Sequence, residues 1–160
     1  MRRPRKAHKV PLSYLITSGE TTSHTTQASD DYHRILKLVA HAVHAEISFI
    51  QIREKQLNAR TLYHLTADAA RLTRDTATRL LINDRADIAV AGGADGVHLT
   101  TQSLTTEVIR CIFGQELVIG VSTHSVQEAS LARNGGADFV TFGPVYATSS
   151  KSALRPTRGP

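Results

Sequence analysis

The sequence predicts an α/β fold: a parallel (β/α) barrel of the TIM type, with about six of the eight strand–helix units represented in 160 residues. Three observations predict it. Short β-branched and apolar runs alternate strictly with helical patterns, an order that yields a parallel sheet with right-handed crossovers. The chain echoes itself: Gly92-Gly93-Ala94-Asp95-Gly96-Val97-His98-Leu99 returns 43 residues later as Gly135-Gly136-Ala137-Asp138-Phe139-Val140-Thr141-Phe142. Polar clusters also recur at one end of every strand: Thr17; Gln51, Arg53 and Lys55; Asn83 and Asp84; His98 through Ser103; Ser122, Thr123 and His124; Gly143 through Lys151. In a βα barrel the C-terminal ends of the strands build the active site. A doubly wound sheet also binds ligands there, but no Gly-x-Gly-x-x-Gly turn follows the first strand here.

Each element has its own justification. Strands are predicted at Ser13–Thr17, Ile47–Arg53, Arg79–Asn83, Gly96–Leu99, Leu117–Ser122 and Phe139–Phe142, where apolar and β-branched residues cluster. Their near-continuous hydrophobicity means that both faces of the sheet are covered. Helix Asp31–Ala45 carries Ile35, Leu38, Val39 and Ala42 on one stripe, and Arg60–Arg74 carries Leu62, Leu65, Ala69 and Leu72. Asp84–Ala91 is a short helix. Thr105–Phe113 turns Val108, Ile109 and Ile112 inward. Ser125–Asn134 opens with Ser125 three residues before Glu128, a capping box. Glycine after a helix takes the left-handed conformation that closes it. Ala45-Glu46-Ile47-Ser48-Phe49 reads as a worn third copy of the echo, with Glu46 where glycine would be easier by about 1 kcal/mol.

Composition narrows the function classes. At 41% hydrophobic residues the chain can bury a core, and no apolar run approaches the roughly 20 residues of a membrane helix. The single cysteine, Cys111, cannot form an internal disulfide and is expected as a buried, inert thiol, which fits a reducing cytoplasm. The formal charge of +5 sits at the ends. Arg2, Arg3, Arg5, Lys6 and Lys9 lie at the start and Lys151, Arg155 and Arg158 at the finish, leaving 11 basic against 14 acidic residues between them. A nucleic-acid binder would carry its basic stripe on the fold. The reading is a disordered basic arm over 1–11, one domain over 12–151 and an irregular tail over 152–160.

The most informative segment is Gln51-Ile52-Arg53-Glu54-Lys55. Arg53 offers a planar fork of donors and Lys55 a point charge, and both suit phosphate oxygens. At period two, Gln51, Arg53 and Lys55 share one face, with Ile50, Ile52 and Glu54 on the other. The bland alternative is a charged turn with Arg53 and Glu54 paired.

Five motifs, Gln51-Ile-Arg-Glu-Lys55, Leu81-Ile-Asn-Asp-Arg85, Gly93-Ala-Asp-Gly-Val-His-Leu99, Gly120-Val-Ser-Thr-His-Ser125 and Phe142-Gly-Pro-Val-Tyr-Ala-Thr-Ser-Ser-Lys151, together resemble the thiamine phosphate synthase family, which also contains thiazole tautomerases. The likeness runs from about Tyr14 to Lys151. It implies an eight-stranded βα barrel that joins hydroxymethylpyrimidine diphosphate to thiazole phosphate and releases pyrophosphate. It implies that Gln51, Arg53, Lys55 and Asn83 contact the pyrimidine diphosphate, that Asp84 ligates Mg2+, and that Ser122 contacts the pyrimidine. Thr148 and Ser150 match residues around the thiazole phosphate, and Lys151 a pyrophosphate contact. One position departs. The synthase pattern after Val-His-Leu is Gly-Gln-x-Asp, whose aspartate is a second magnesium ligand; here Thr100-Thr101-Gln102-Ser103 puts a neutral hydroxyl there. Either the metal relies on Asp84, water and diphosphate, or the diphosphate role is lost.

That departure favours the tautomerase branch, in which the residue matching His124 is the acid/base of thiazole aromatisation. His124 could equally cap its strand end through a backbone hydrogen bond. His33, His41, His44 and His64 are expected on surfaces, His98 as a packing residue, Arg85 paired with Asp87 or Asp84, and Asp95 and Asp138 as turn or cap residues. Six strands where the family has eight imply a truncated product, bare sheet edges at the first and sixth strands, and self-association through them. A catalytically inactive remnant that binds a phosphorylated ligand is the third reading.

Overall fold

The computed structural model describes residues 11–146. Six strands and five helices alternate along it: β1 (Tyr14–Ile16), α1 (Asp30–His44), β2 (Phe49–Ile52), α2 (Ala59–Thr73), β3 (Arg79–Asn83), α3 (Ala86–Gly92), β4 (Gly96–Leu99), α4 (Thr106–Phe113), β5 (Val118–Thr123), α5 (Val126–Asn134) and β6 (Phe139–Phe142). The strands form one sheet in chain order, every neighbouring pair parallel. All strand C-termini therefore lie at one rim. The sheet is curled into most of a βα barrel. Rings of Tyr14 on β1 and Phe139 on β6 meet edge-on, with centroids 5.9 Å apart, and Phe49 and His98 complete the inner cluster.

Helices cover the outer face of the sheet. Tyr32, Ile35 and Val39 of α1 and Leu62, Leu65 and Ala69 of α2 pack on Ile50, Ile52, Leu80 and Ile82. A smaller cluster joins Ala86, Val97, Leu99, Ile109, Leu117 and Ile119. Burial thins towards β6. Val126 and Leu131 of α5 are 75% and 68% exposed, and Ala132 is that helix's buried hydrophobic residue. No helix among the described residues is long and apolar enough to cross a membrane.

The echo is a structural device. Glu46, Gly93 and Gly136 occupy its equivalent positions, and all three have positive φ, at 53°, 77° and 93°. The left-handed turn survives in the worn copy despite the side chain. Two residues further on, Ser48, Asp95 and Asp138 accept hydrogen bonds from the backbone N–H groups of Ser13, Leu80 and Ile119. Each copy thus locks the start of its strand to its neighbour. The two aspartates do more than end a turn: Asp95 also pairs with Arg79, and Asp138 with Arg110.

Helix α4 corrects two expectations. Cys111 is exposed, not buried. Val108 and Ile112 are also exposed, at 40% and 61%. The buried stripe is Thr106, Ile109 and Arg110. Arg110 takes the inward place because its guanidinium finds oxygen partners there: the carbonyls of Gly114, Leu117 and Gly136 and the Asp138 carboxylate. That rotation turns Cys111, one residue on, to solvent. Leu72 of α2 is likewise 39% exposed, while Thr73 is buried. At α5, Ser125 Oγ accepts from Glu128 N as expected, but the Glu128 carboxylate takes the His124 N–H, outside the reciprocal pattern of a capping box.

Candidate functional site

The site is built from inward-facing positions of the strands, five of them in the C-terminal halves and Tyr14 at the start of β1. Hydrogen bonds link one residue from each of the six strands. Thr141 Oγ1 (β6) donates to Ser122 Oγ (β5) at 3.4 Å, and Ser122 Oγ lies 2.9 Å from His98 Nε2 (β4). His98 Nδ1 lies 2.9 Å from the Tyr14 hydroxyl (β1). That hydroxyl donates to Gln51 Oε1 (β2) at 2.9 Å, and Gln51 Nε2 donates to Asn83 Oδ1 (β3) at 3.0 Å. Gln51 and His98 are 2% and 3% exposed. Burial holds the His98 ring neutral, its pKa lowered to about 4, and raises that of Tyr14.

Glycine makes the room. A Cβ on Gly120 would overlap Phe139 Cζ and come within 2.7 Å of His98 Nδ1. A side chain there would therefore push both rings aside.

Asn83 also opens onto a polar cavity of about 380 Å³. Lys55, Asp84, Arg85, Thr100 and Gln102 share its wall. Asp84 holds a left-handed backbone (φ 63°) that aspartate tolerates better than most residues, fixed by a bond from its N–H to the His98 carbonyl. Arg85, on the same wall, is held in a bidentate pair with Asp87 at 2.9 and 2.7 Å, one of the two partners expected for it.

The β2 motif divides at its end. Gln51 points into the barrel, whereas Lys55 is exposed at the cavity and Arg53 is half-buried outside its lining. Arg53 N–H donates to Thr17 Oγ1, and Gly19, with φ 79°, passes close over the Arg53 carbonyl. Glu54 is buried and does not pair with Arg53. Its carboxylate accepts from Gly19 N, Thr21 N and Thr21 Oγ1, clamping the β1–α1 loop.

Ser103 is committed to its own turn, accepting from Thr100 N at 2.8 Å. Among the described residues no cluster of three or more His, Cys, Asp or Glu side chains is arranged to hold a metal. The donor set fits a magnesium ion bound through one carboxylate, Asp84, with the rest of its shell supplied by phosphate oxygen and water. His124 is exposed, and its Nδ1 bonds the Gly143 carbonyl. Since a carbonyl only accepts, the ring donates there and keeps Nε2 as its basic nitrogen. Thr148, Ser150 and Lys151 lie outside the described residues.

The structure therefore brings Gln51, Asn83 and Ser122 into one network, and Lys55, Asn83 and Asp84 onto one cavity. It leaves Arg53 and His124 apart from that cavity wall. A second cavity of about 350 Å³ lies between the β1–α1 loop and α1, lined by Thr17, Arg34, Lys37 and His41 with Glu20 and Asp31. Its mixed charge, and the absence from its lining of any residue of the six-strand network, set it aside, although Glu54 borders both cavities. Sequence reasoning missed Tyr14 and Thr141 and underrated His98. The available signal was a histidine at an inward position of an otherwise apolar strand.

Comparison with known proteins bears on the fold and the family. A family model described as thiamine monophosphate synthase matches residues 22–160. Thiamine-phosphate synthase of Chlorobium limicola is 37% identical over 132 residues, covering 82% of this chain and 63% of that protein. Thiamine-phosphate synthase of Haloarcula marismortui is 41% identical over 141 residues, covering 88% and 63%. Thiamine phosphate pyrophosphorylase from Pyrococcus furiosus superposes with a TM-score of 0.70 at 29% identity, over 84% of this chain and 61% of that one. The chain thus spans a little under two thirds of the length of these three relatives.

Proposed function

We propose, from the premise that this chain belongs to the thiamine monophosphate synthase family, that it works in thiamine biosynthesis as a transferase. In the reaction, the bond between the pyrimidine methylene and its diphosphate oxygen breaks, and the electron pair leaves with diphosphate. The thiazole nitrogen lone pair then forms the new carbon–nitrogen bond. No strong base is required. The carrying observation is the hydrogen bond from Gln51 to Asn83, a residue that also lines a cavity with Lys55 and Asp84. Gln51, Asn83 and Ser122 would orient the pyrimidine through directional hydrogen bonds. Arg53 and Lys55, with Lys151, would stabilise the departing negative charge. Thr148 and Ser150 would hold the thiazole phosphate. Asp84 would hold Mg2+, which when bound neutralises diphosphate charge.

The test is direct. Incubated with hydroxymethylpyrimidine diphosphate, thiazole phosphate and magnesium, the chain should yield equal amounts of thiamine phosphate and pyrophosphate. Ligand-induced thermal stabilisation without turnover would reject catalysis by this chain and leave the phosphate-binding remnant. A cytoplasmic setting, with phosphorylated small molecules and not nucleic acid as partners, belongs to the same reading.

A second reading has its own observations. Ser103 is tied to Thr100 instead of offering a carboxylate, and His124 keeps a basic Nε2. Both suit a thiazole tautomerase, with His124 moving the proton. Turnover of non-aromatic thiazole phosphate, lost in His124→Gln, would select it. Self-association through the sheet edges is also part of this proposal, supported by exposed Ile16 on β1 and Phe142 on β6. A monomer throughout sedimentation at micromolar concentration would remove it.

A further inference from the structure

We propose that Tyr14 and His98 are positioning residues that give the six-strand network a single sense, so that Asn83 presents only N–H donors to the ligand cavity. This rests on the reading that the Asn83 cavity takes a phosphorylated ligand.

Proton counting carries the argument. The Tyr14 hydroxyl has one proton, and it goes to Gln51 Oε1. The Tyr14 oxygen can therefore only accept from His98, which requires a proton on Nδ1. A neutral ring protonated at Nδ1 has a bare Nε2, which accepts the Ser122 hydroxyl. Ser122 Oγ in turn accepts from Thr141. At the other end, Gln51 uses Oε1 on Tyr14 and Nε2 on Asn83 Oδ1. The Asn83 carbonyl is thus occupied, and its NH2 group is what remains for a ligand. Every bond runs the same way, from Thr141 to Asn83.

Reversal is all or none. If the imidazole carried its proton on Nε2, Tyr14 would donate to Nδ1, Gln51 would have to turn its amide, and Asn83 would then offer its carbonyl to the cavity. A carbonyl repels phosphate oxygens, whereas an amide N–H binds them. The tautomer of a buried histidine thereby selects the charge type the mouth accepts. Neither Tyr14 nor His98 lines the cavity, so both act through Gln51 and Asn83.

The experiment reads the tautomer in the full chain labelled with 15N, by two-bond 1H–15N correlation at pH 7.5. The expected result is Nδ1–H in the unmodified protein. Tyr14→Phe removes the oxygen that Nδ1–H needs, and the ring should switch to Nε2–H, donating to Ser122. Ser122→Ala leaves Tyr14 in place and should keep Nδ1–H. Nε2–H in the unmodified protein overturns the proposal, and so does an unchanged tautomer in folded Tyr14→Phe. Should Tyr14→Phe fail to fold, the unmodified and Ser122→Ala spectra still decide. Inorganic pyrophosphate with magnesium, titrated calorimetrically, should bind about tenfold more weakly to Tyr14→Phe, the loss of one well-formed charge-assisted bond. Absence of pyrophosphate binding to the unmodified chain would count against the proposed function, while the tautomer would still report on the relay.

Discussion

Tyr14 and Phe139 stand at opposite edges of the sheet, 125 positions apart in sequence, yet their rings meet edge to face at 5.9 Å. They close the inner layer of a sheet whose first and last strands do not pair. Phe139 also stacks on Phe49 and His98, at 5.1 and 5.9 Å.

Phe139→Ala should therefore destabilise the fold by about 3 kcal/mol, at the low end for a large aromatic because the residue is only half-buried. Phe139→Leu should cost less than half of that. Urea unfolding checks both. Equal costs would mean that retained bulk counts for nothing there and that the ring contacts carry the whole loss.

Arg110 should be among the most sensitive positions outside the site. Its guanidinium is 7% exposed and serves three carbonyls and a carboxylate at the α4–β5–β6 junction. Arg110→Ala should cost about 3–5 kcal/mol. Arg110→Lys keeps the charge but lacks the fork, and should recover less than half of the loss. Full recovery by lysine would show that charge alone matters there.

His98 gives stability a pH dependence whose sign follows from its depressed pKa. The folded ring titrates at about 4 and an unperturbed one at 6.5. Between those values the unfolded chain binds the proton and the folded chain does not, so stability rises with pH across that window. The contribution is complete above about pH 6.5. It falls as pH drops to about 4, by something on the order of 3 kcal/mol, and levels off below that. His98→Gln should flatten this part of the profile. Parallel profiles for the two proteins would show that the ring takes up its proton equally in the folded and unfolded chain.

Ser103→Asp tests the metal arrangement. An aspartate there can still accept from Thr100 N–H, so the turn should survive. It adds a carboxylate on the loop that carries Thr100 and Gln102 to the cavity wall. Magnesium affinity, read by calorimetry in the presence of pyrophosphate, should rise about tenfold or more. No change would mean that position 103 does not face the ion.

Much of this was legible in the residues. Period-two and 3.6-residue patterns located all six strands and all five helices, and the echo marked the left-handed turns down to Glu46. Recurrent polarity at strand ends located the rim, because strand direction is set once crossovers are right-handed. Side-chain facing at the ends of elements was less legible. Alternation placed Gln51, Arg53 and Lys55 together, but β2 ends at Ile52, so Arg53 follows the loop and not the pleat.

By itself, then, the sequence determined the alternation of elements, the parallel sheet and the motif residues at its rim, all of which follow from local periodicity and turn chemistry. Only the tertiary structure decided which polar groups meet. Tyr14 finds His98 across 84 positions because the sheet curls, and Gly120 leaves the space in which they touch. Arg110 displaces Val108 and Ile112 from the buried face because its oxygen partners come from two separate segments, 114–117 and 136–138. Periodicity counts apolar residues along one helix, whereas a buried charge is decided by partners that only folding assembles.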